Sequence, residues 1–458
     1  MPHCIVIGGG FAGITAAIRL VEAGWRVTLI EARDTLGGRV QSLYDTTTGE
    51  TIDNGQHIMM GCYEATLRLV HTLGTHHYLR YQNALHVWFA EPNNTPFRLD
   101  TSLLPGILGM VVGMMRLPGL SWDDKLSMLR FAARVQTNRT MPHGKSVRAL
   151  LDEEGQSISL LQRVWEPITL ATLNASLDEA SATLFIEVLR RALFSGRAAS
   201  RIILATTGLD SIVSTAKAWL EARGSTVLTD TAVQLNVHDN RVQSVLLKQN
   251  SELTADAFVS ALPPHAIAKL LPSPHYQAAG LPDPSHFRAS PIVSVYLWFD
   301  KEFMTQDIVA LLGTTVQWIF NRRLLCYTEP ETRQRFPCHI ALTVSAASSL
   351  VQLPSGEIIQ QCLRDIYSVF PSAQQSTILH ARVIREKHAT PLLTPTNEHY
   401  RPASRTAIHN LFLAGDWTAT GLPATIESAT HSGELAAQAV TQALYSQRVP
   451  IFLHNHVS

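Results

Sequence analysis

The amino-acid sequence predicts an α/β fold in which a parallel sheet is assembled from distant parts of the chain and an α+β domain is interleaved with it. Three observations predict this fold. A glycine-rich turn joins a short apolar strand to a helix at the N-terminus, and a strand followed by Gly-Asp and another helix lies near the C-terminus. At 458 residues, the chain is also too long for one ordinary core, so we expect two domains.

The composition excludes several classes of protein. Apolar residues make up 46% of the chain and charged residues only 16%, which favours burial of a large apolar ligand or contact with a membrane surface. Lys plus Arg and Asp plus Glu both number 37, so we expect no nucleic-acid partner. The five cysteines form no C-x-x-C pair, so we expect no metal site and no disulfides, and a cytoplasmic location. We expect neither a signal peptide nor a membrane-spanning helix.

The N-terminal segment predicts the start of a Rossmann-like domain. C-I-V-I (4–7) has the pattern of a buried strand, and G-G-G-F-A-G (8–13) follows it directly. Residues 14–24 have helical apolar spacing, and 25–31 form a second strand that ends in an acid. A G-x-G-x-x-G turn in this strand–turn–helix–strand context is typical of dinucleotide binding.

Each glycine of that turn has its own role in this interpretation. Gly8 permits the tight turn, Gly10 lets a pyrophosphate approach the backbone, and Gly13 allows close packing of helix on strand. The phosphates would bind the free N–H groups at the helix N-terminus. Glu31 is placed to accept hydrogen bonds from the ribose hydroxyls.

The segment A-R-D-T-L-G-G-R-V (32–40) favours FAD over NAD as the dinucleotide. It resembles the extended loop of two-dinucleotide-binding-domain flavoproteins, which wraps the diphosphate and the flavin. Arg39 would donate to a phosphate or bind a carboxylate near the cofactor. The predicted cofactor-binding residues in this part of the chain are Gly8, Gly10, Phe11, Ala12, Gly13, Glu31, Ala32, Arg33, Gly38 and Arg39.

A second cofactor segment is predicted at residues 410–433. A buried strand leads to Gly415 and Asp416, and a turn rich in Gly, Thr and Pro precedes a helix from about Ala424. In flavoproteins of this class such an Asp binds ribityl or pyrophosphate oxygens, and the helix N-terminus faces the N1–C2=O edge of the flavin. The predicted cofactor-binding residues here are Gly415, Asp416, Ala424, Thr425 and Ile426.

The middle of the chain is predicted to return to the same domain. Residues 225–237 and 240–248 are interpreted as a hairpin, and 255–264 as a buried strand. By analogy with the same flavoprotein class, the backbone of Val233 would meet the adenine.

The FAD-binding domain is therefore predicted to comprise three separate segments, and the substrate domain the two segments between them. The predicted boundaries are 1–75, 200–265 and 400–445 for the FAD-binding domain, and 76–199 and 266–399 for the substrate domain.

Two segments of the substrate domain leave alternatives open. The Met- and Leu-rich helical pair at 103–115 and 116–135 would line a site for a flexible hydrocarbon, enter a membrane interface, or pack as ordinary core. Tyr296 and Trp298 share one face of the strand 289–300, where they would line a channel, stack on the flavin, or pack as core.

The polar stretch I-D-N-G-Q-H (52–57) allows two interpretations. In one, His57 is a general acid, since an imidazole is half-protonated near neutral pH. In the other, Asp53, Asn54 and Gln56 satisfy the backbone of a turn, and His57 hydrogen-bonds the cofactor.

Six motifs together carry a family resemblance over residues 3–445. They are G-G-G-F-A-G, G-G-R-V, D-N-G-Q-H-I-M-M-G-C-Y-E-A-T-L, W-E-P-I-T-L-A-T-L-N-A-S, P-I-V-S-V-Y-L-W-F-D and G-D-W-T-A-T-G-L-P-A-T-I-E-S-A. In this order they resemble the bacterial hydroxysqualene dehydroxylase family, within the flavin amine oxidase and phytoene desaturase superfamily. The chain departs from the expected pattern at His388, where we expect an arginine.

The resemblance implies an FAD-dependent oxidoreductase that reduces hydroxysqualene to squalene in hopanoid biosynthesis. It implies a long apolar isoprenoid substrate, peripheral contact with the inner face of the cytoplasmic membrane, and association with squalene-synthase-like enzymes. A carotenoid (phytoene-type) desaturase and a flavin amine oxidase are the alternative enzymes. An amine oxidase would require an aromatic cage beside the flavin and a lysine–water contact, and neither is evident. A non-catalytic prenyl-lipid carrier is a further alternative, but the cofactor motifs are too complete to favour it.

Overall fold

The structure of the protein, a computed structural model, describes residues 1–104, 106–137, 142–247, 251–271 and 273–448. In chain order the strands are β1 His3–Ile7, β2 Arg26–Ile30, β3 Ser42–Asp45, β4 Glu50–Asp53, β5 Met59–Met60, β6 Leu79–Tyr81, β7 His86–Ala90, β8 Phe97–Asp100, β9 Ile202–Ala205, β10 Thr226–Leu228, β11 Val233–His238, β12 Arg241–Leu247, β13 Glu252–Leu253, β14 Ala257–Ser260, β15 Ala289–Phe299, β16 Ile308–Leu311, β17 Trp318–Asn321, β18 Cys338–Val344, β19 Ile378–Pro391 and β20 Leu411–Leu413.

The α-helices lie between these strands in the sequence. In chain order they are α1 Phe11–Glu22, α2 Glu64–Leu73, α3 Gly106–Met115, α4 Trp122–Gln136, α5 Val147–Glu153, α6 Ile158–Leu160, α7 Glu166–Leu173, α8 Ala182–Val188, α9 Arg197–Ser200, α10 Ala216–Glu221, α11 Pro264–Leu270, α12 Ser273–Ala278, α13 Arg322–Leu325, α14 Pro330–Arg335, α15 Ser355–Val369 and α16 Ile426–Arg448. Two π-helical turns also occur in this part of the chain: Leu161–Trp165 lies between α6 and α7, and Leu189–Leu193 lies between α8 and α9.

A five-stranded parallel sheet forms the core of the dinucleotide-binding part. Its strand order is β10-β2-β1-β14-β20, and every neighbouring pair is parallel. The strands come from three distant parts of the chain, and the burial of β1, β14 and β20 fits a sheet covered on both faces. The α/β fold predicted from the sequence is therefore confirmed.

The hairpin predicted over 225–237 is wrong in its first strand. Residues 226–228 form β10, which pairs in parallel with β2, and only β11 forms a hairpin with β12. The chain changes direction at Asp230, whose positive φ of 53° ends the extended conformation. The last residue of the predicted partner strand, residue 248, lies outside the described residues.

A seven-stranded mixed sheet forms the second part of the fold. Its order is β19-β15-β18-β17-β16-β7-β8. In the sequence, β7 and β8 precede strands β10 and β14 of the parallel sheet, whereas β15 to β19 follow them. Tyr296 and Trp298 on β15 are fully buried in the core beside this sheet, at 0% exposure, and neither lines the large cavity described below. Of the three interpretations of these aromatics, the structure supports core packing.

The helical pair predicted within 103–135 comprises α3 and α4. Ser121 begins α4 with a capping box, because its Oγ accepts the N–H of Asp124 and the Asp124 carboxylate accepts the N–H of Ser121. Met110 and Met114 of α3 are buried and line the large cavity, whereas Leu108 is exposed. Within the described residues, no helix is long and apolar enough to cross a membrane.

Candidate active site

Two glycine-rich loops cross at the N-terminus of α1. The N–H of Gly37 donates to the carbonyl of Gly9 (2.8 Å), and a Cβ on Gly38 would come within 2.9 Å of the Gly10 Cα. Gly8 has a φ of +107°, and a Cβ on Gly13 would lie 1.8 Å from the Gly8 oxygen. The backbones therefore approach more closely than any residue with a side chain would permit.

The same crossing leaves room for a ligand above α1. Gly10 is extended, and a Cβ added there would meet only the Cα of Gly38, at 3.7 Å. No side chain caps α1, and its first turn contains no acidic residue. An uncapped helix N-terminus beside an open glycine backbone is suited to the diphosphate of a dinucleotide, because free N–H groups and the helix dipole both favour an anion.

Glu31 lies at the end of β2, where the ribose contact is predicted. Its two carboxylate oxygens accept the N–H groups of Gly9 (2.6 Å) and Arg33 (3.0 Å). The Arg33 guanidinium donates to the carbonyl of Gly38 (2.8 Å). These contacts tie the acid and the second glycine loop together and fix the carboxylate at the cavity wall.

Arg39 connects the N-terminal loops to the C-terminal segment. Its Nη2 lies 2.6 Å from Asp416 Oδ1, and its Nη1 donates to the Ala389 carbonyl (3.0 Å). Of the two roles predicted for Arg39, the structure therefore supports binding of a carboxylate. The buried Asp416 follows Gly415, whose N–H donates to Ser432 Oγ (2.7 Å) on α16.

The N-termini of α1 and α16 lie side by side because a glycine lets the two helices touch. A Cβ on Gly433 would come within 2.3 Å of the Ala12 carbonyl oxygen, so only glycine fits. Thr425 Oγ1 accepts the N–H of Ser428 at the start of α16 (3.2 Å). Two helix N-termini therefore face the same cavity from opposite halves of the sequence.

The predicted polar stretch divides into a buried half and a half that faces the cavity. Asp53 is 1% exposed, and its Oδ1 accepts the Ser42 hydroxyl and the Leu209 N–H, both at 2.8 Å. The Asn54 amide donates to the Arg39 carbonyl (2.8 Å). These two side chains therefore support the turn, as the second interpretation predicts.

Gln56 and His57 line the cavity together with Asn54, whereas Asp53 does not. His57 Nδ1 lies 2.7 Å from the carbonyl oxygen of Gly55. Burial lowers the pKa of His57 from its ordinary value of 6.5, while the Gly55 carbonyl and the negative charge of Asp53 oppose that shift. The imidazole is therefore mainly neutral at pH 7, which is the less reactive form for a general acid.

A buried arginine that we did not predict from the sequence supports this stretch from behind. Arg322 is 4% exposed, and it donates to Gln56 Oε1 and to the Thr51 carbonyl, both at 2.9 Å. Its Nη1 lies 3.7 Å from Asp53 Oδ2. The one sequence signal is the polar triplet N-R-R (321–323), whose Asn321 is the last residue of the otherwise apolar strand β17.

The glycine-rich loops, the two helix N-termini and the polar stretch adjoin one cavity of about 1090 Å³, above the ~300–1,000 Å³ of ordinary small-molecule pockets. The predicted site residues that line it are Gly8, Gly10, Phe11, Ala12, Glu31, Arg33, Gly38, Arg39, His57, Gly415, Asp416, Ala424, Thr425 and Ile426. Gly13 packs beneath the turn, Ala32 is exposed, and Val233 packs against a neighbouring core cluster that includes Ile30; none of these three is part of the lining.

The other half of the cavity is apolar. Its lining comes from β7, β8, α3, α7, the π-helical turn before α7, and residues adjoining β7 and α3: Leu85, Val87, Phe89, Leu99, Met110, Met114, Leu117, Val164, Pro167, Ile168 and Ala171. Methionine side chains adapt to irregular apolar ligands. His388, the departure from the expected pattern, also lines the cavity, with its ring 5.8 Å from that of His265.

Comparison with known proteins agrees with this geometry. The family described as "Flavin containing amine oxidoreductase" matches residues 11–441. A hydroxysqualene dehydroxylase from Sinorhizobium fredii is 31% identical over 95% of this chain and 98% of its own length. The chain belongs to the hydroxysqualene dehydroxylase family of flavin-containing amine oxidoreductases.

Other members of the superfamily are more distant. A 15-cis-phytoene desaturase from Solanum lycopersicum is 25% identical over 96% of this chain and 77% of its own length. The solved structure of an oxidoreductase from Methanosarcina mazei has a TM-score of 0.69 and 16% identity, with 96% of this chain and 100% of that chain covered. As a member of the hydroxysqualene dehydroxylase family, the protein is a flavin-dependent oxidoreductase, which confirms the predicted enzyme class.

Proposed function

We propose that the protein uses FAD to reduce hydroxysqualene to squalene. The observation that carries this proposal is the composition of the cavity, whose dinucleotide-binding half adjoins a Met- and Leu-lined half large enough for a long isoprenoid chain. Similarity to a hydroxysqualene dehydroxylase over nearly the whole chain supports the choice of substrate. The product, squalene, differs from the substrate by replacement of the hydroxyl with hydrogen.

The residues divide the work of this reaction between them. The N-terminus of α1 would hold the diphosphate of FAD, with Glu31 at the ribose and Asp416 at the ribityl or pyrophosphate oxygens, since all three line the cavity. When bound, reduced FAD supplies a hydride to the carbon that loses the hydroxyl. The apolar lining excludes water from that carbon, which carries positive charge as the C–O bond breaks.

The hydroxyl leaves as water and therefore needs a proton. His57 is the proposed donor because it is a titratable side chain that lines the cavity. Its pKa is lowered by burial, so the protonated imidazole is the minor form at pH 7 and a strong acid once formed. Gln56, its neighbour, offers an amide at the same wall.

The deciding experiment compares hydroxysqualene and phytoene as substrates. Purified protein reconstituted with FAD is incubated anaerobically with dithionite and hydroxysqualene, and separately with phytoene and a quinone oxidant. We expect squalene, identified by mass, in the first reaction and unchanged phytoene in the second. Desaturated phytoene without squalene would instead identify a desaturase, the alternative supported by 25% identity to a 15-cis-phytoene desaturase.

We also propose that the protein takes this substrate from the surface of an anionic membrane. Large apolar side chains are exposed on and around α3 and α4, at Leu103, Leu104, Leu108, Trp122 and Leu126. Lys125 Nζ lies 5.5 Å from the centre of the Trp122 ring, so a positive charge that can contact anionic lipid lies next to the exposed apolar side chains. The opposite face of α3 lines the cavity, which makes the path from lipid to site short. Peripheral membrane location and association with squalene-synthase-like enzymes stay predictions.

A further inference from the structure

The orientation of the Gln56 amide is fixed by its buried neighbour. In a side-chain amide it is generally ambiguous which branch is the oxygen and which the nitrogen, because the two groups have nearly the same size and shape. Arg322 removes the ambiguity here, since a guanidinium only donates and its Nη1 lies 2.9 Å from Gln56 Oε1. The Gln56 nitrogen is therefore on the other branch of an amide that lines the cavity, and it has no hydrogen-bond partner among the described residues.

Arg322 is itself held rigidly, so this orientation is not easily lost. Besides Gln56, it donates to the Thr51 carbonyl (2.9 Å), and its guanidinium carbon lies 5.8 Å from the centre of the Tyr296 ring. The Tyr296 hydroxyl donates to the Asp53 carbonyl (2.9 Å). These five groups form one connected polar cluster at and behind the cavity wall.

The tautomer of His57, the neighbour of Gln56, is also fixed by a hydrogen bond. A carbonyl oxygen only accepts, so the 2.7 Å contact of His57 Nδ1 with the Gly55 oxygen requires the proton on Nδ1. In the neutral ring Nε2 then carries a lone pair and accepts a hydrogen bond. Within the described part of the chain, Nε2 has no hydrogen-bond partner, and His57 lines the same cavity.

We propose that Gln56 and His57 form a hydroxyl-binding subsite, in which Gln56 Nε2 donates to the hydroxyl oxygen of an alcohol and His57 Nε2 accepts its hydrogen. A hydroxyl is at once a donor and an acceptor, so it satisfies both groups while the imidazole is neutral. When His57 Nε2 carries a proton, as the proposed acid role requires, the same contact reverses and Nε2 donates to the hydroxyl oxygen. A hydrocarbon satisfies neither and leaves both desolvated, which disfavours its binding. The subsite deepens the proposed function and rests on it only for the identity of the alcohol.

The subsite also separates the two candidate substrates by chemistry. Hydroxysqualene carries a hydroxyl in the middle of an apolar chain, and phytoene carries none. Ile58 and Met60, which follow the pair in sequence, continue the lining with apolar side chains. The Gln56 amide and the His57 imidazole, followed by these apolar side chains, therefore set where along the substrate chain the reacting carbon lies.

The test measures binding without turnover. The oxidised, FAD-loaded enzyme in detergent is titrated with hydroxysqualene and with squalene, and with farnesol and farnesene as a second pair, by the change in flavin absorbance. We expect the wild type to bind each alcohol roughly tenfold more tightly than the matched hydrocarbon. Gln56→Glu keeps an acceptor for Arg322 but replaces the donor, so its preference should fall to within about threefold of unity, mainly through weaker alcohol binding.

Gln41→Glu is the matched control, because Gln41 also lines the cavity and the substitution adds the same charge. We expect it to keep the preference for alcohols. The subsite is overturned if Gln56→Glu keeps the full preference, or if its ligand-free flavin spectrum shifts while both affinities stay unchanged, which would assign the amide to the flavin. If the wild type prefers alcohols but forms no squalene, the proposed function fails and the subsite stands.

Discussion

Gly10 and Gly13 lie in the same turn, but an added methyl group meets different surroundings at the two positions. At Gly13 it would lie 1.8 Å from the Gly8 oxygen, and at Gly10 only 3.7 Å from the Gly38 Cα. We predict that Gly13→Ala lowers the free energy of unfolding of the apoprotein by roughly 2 kcal/mol or more. Gly10→Ala should leave that stability within about 0.5 kcal/mol, yet lose most of the bound flavin because the methyl group occupies the diphosphate site.

These expectations are checked by chemical denaturation of apoprotein and by the ratio of flavin to protein absorbance after reconstitution. Gly24→Ala is the control for strain alone, because Gly24 has a φ of +82° but no atoms within 4 Å of an added Cβ. Full flavin occupancy in Gly10→Ala would show that the diphosphate binds elsewhere.

His57 should give the reaction a characteristic dependence on pH if it donates the proton. Burial lowers its pKa below 6.5, so the protonated fraction falls about tenfold for each pH unit above that pKa. We predict that log kcat declines with a slope near −1 from pH 7 to 8.5 and levels off at acid pH. In His57→Ala the slope should vanish and kcat should fall by roughly 10²–10⁴.

His265 is the matched control for this prediction, since it lines the same cavity and its pKa is also lowered, first by burial and then by His388. His265→Gln should keep the slope. The flavin content of each variant is measured first, so that loss of cofactor is not mistaken for loss of the acid. An unchanged rate in flavin-replete His57→Ala would rule out the acid role.

Asn174 connects several elements at the end of α7. It ends the helix with a positive φ of 48°, and its Nδ2 donates to the Ser290 carbonyl (3.1 Å) and to Thr390 Oγ1 (3.0 Å). Its Oδ1 accepts the N–H of Ala346 (2.7 Å). We predict that Asn174→Ala lowers the free energy of unfolding by about 2–4 kcal/mol, because three hydrogen bonds of a buried side chain and a favourable αL residue are lost together.

Asn174→Gly separates the two contributions, since glycine tolerates the positive φ but makes none of the side-chain contacts. We expect it to recover about 1 kcal/mol of the loss, as measured by denaturant midpoints at equal slope. Equal stability of Asn174→Ala and the wild type would mean that these contacts contribute nothing net.

Elements whose requirements are local were predictable, and those set by distant partners were not. The turn of Gly8 and the sequence Gly415-Asp416 have conformational needs visible in a few residues, and both lie where the sequence predicted. The break at Asp230 was missed because residues 225–237 are uniformly strand-like, and only pairing of β10 with β2 divides them. Tertiary pairing thus overrode the local pattern.

Over the whole molecule, the cavity also combines features that depend on local sequence with features that depend on distant contacts. The convergence of the glycine-rich segments at the cavity could be predicted because each loop carries its own glycines and acid. Arg322 could not, since it is 266 residues from Gln56 in the sequence and only the packing of β17 against the rest of the mixed sheet brings them together. The sequence therefore predicted which stretch faces the cavity but not which atoms of it are free to bind a ligand.

The exposed apolar surface around α3 and α4 makes a prediction about the whole molecule. Trp122 is 72% exposed and Leu108 57%, which is costly in water and favourable in a lipid interface. We predict that the protein sediments with vesicles of equal phosphatidylglycerol and phosphatidylcholine, and that the Leu108→Ser, Trp122→Ser double variant loses at least about 80% of this binding.

Tyr327→Ser is the matched control, because Tyr327 is equally exposed, at 77%, but lies beyond α13 in another part of the fold. It should bind vesicles as the wild type does. Both variants should keep their flavin and their activity on detergent-solubilised substrate, since neither α3's inner face nor the cavity is altered. Substrate presented in vesicles should then be converted several-fold more slowly by the double variant alone, because the hydrocarbon must first cross water. If the Leu108→Ser, Trp122→Ser double variant binds vesicles as well as the wild type does, α3 and α4 are not the membrane contact.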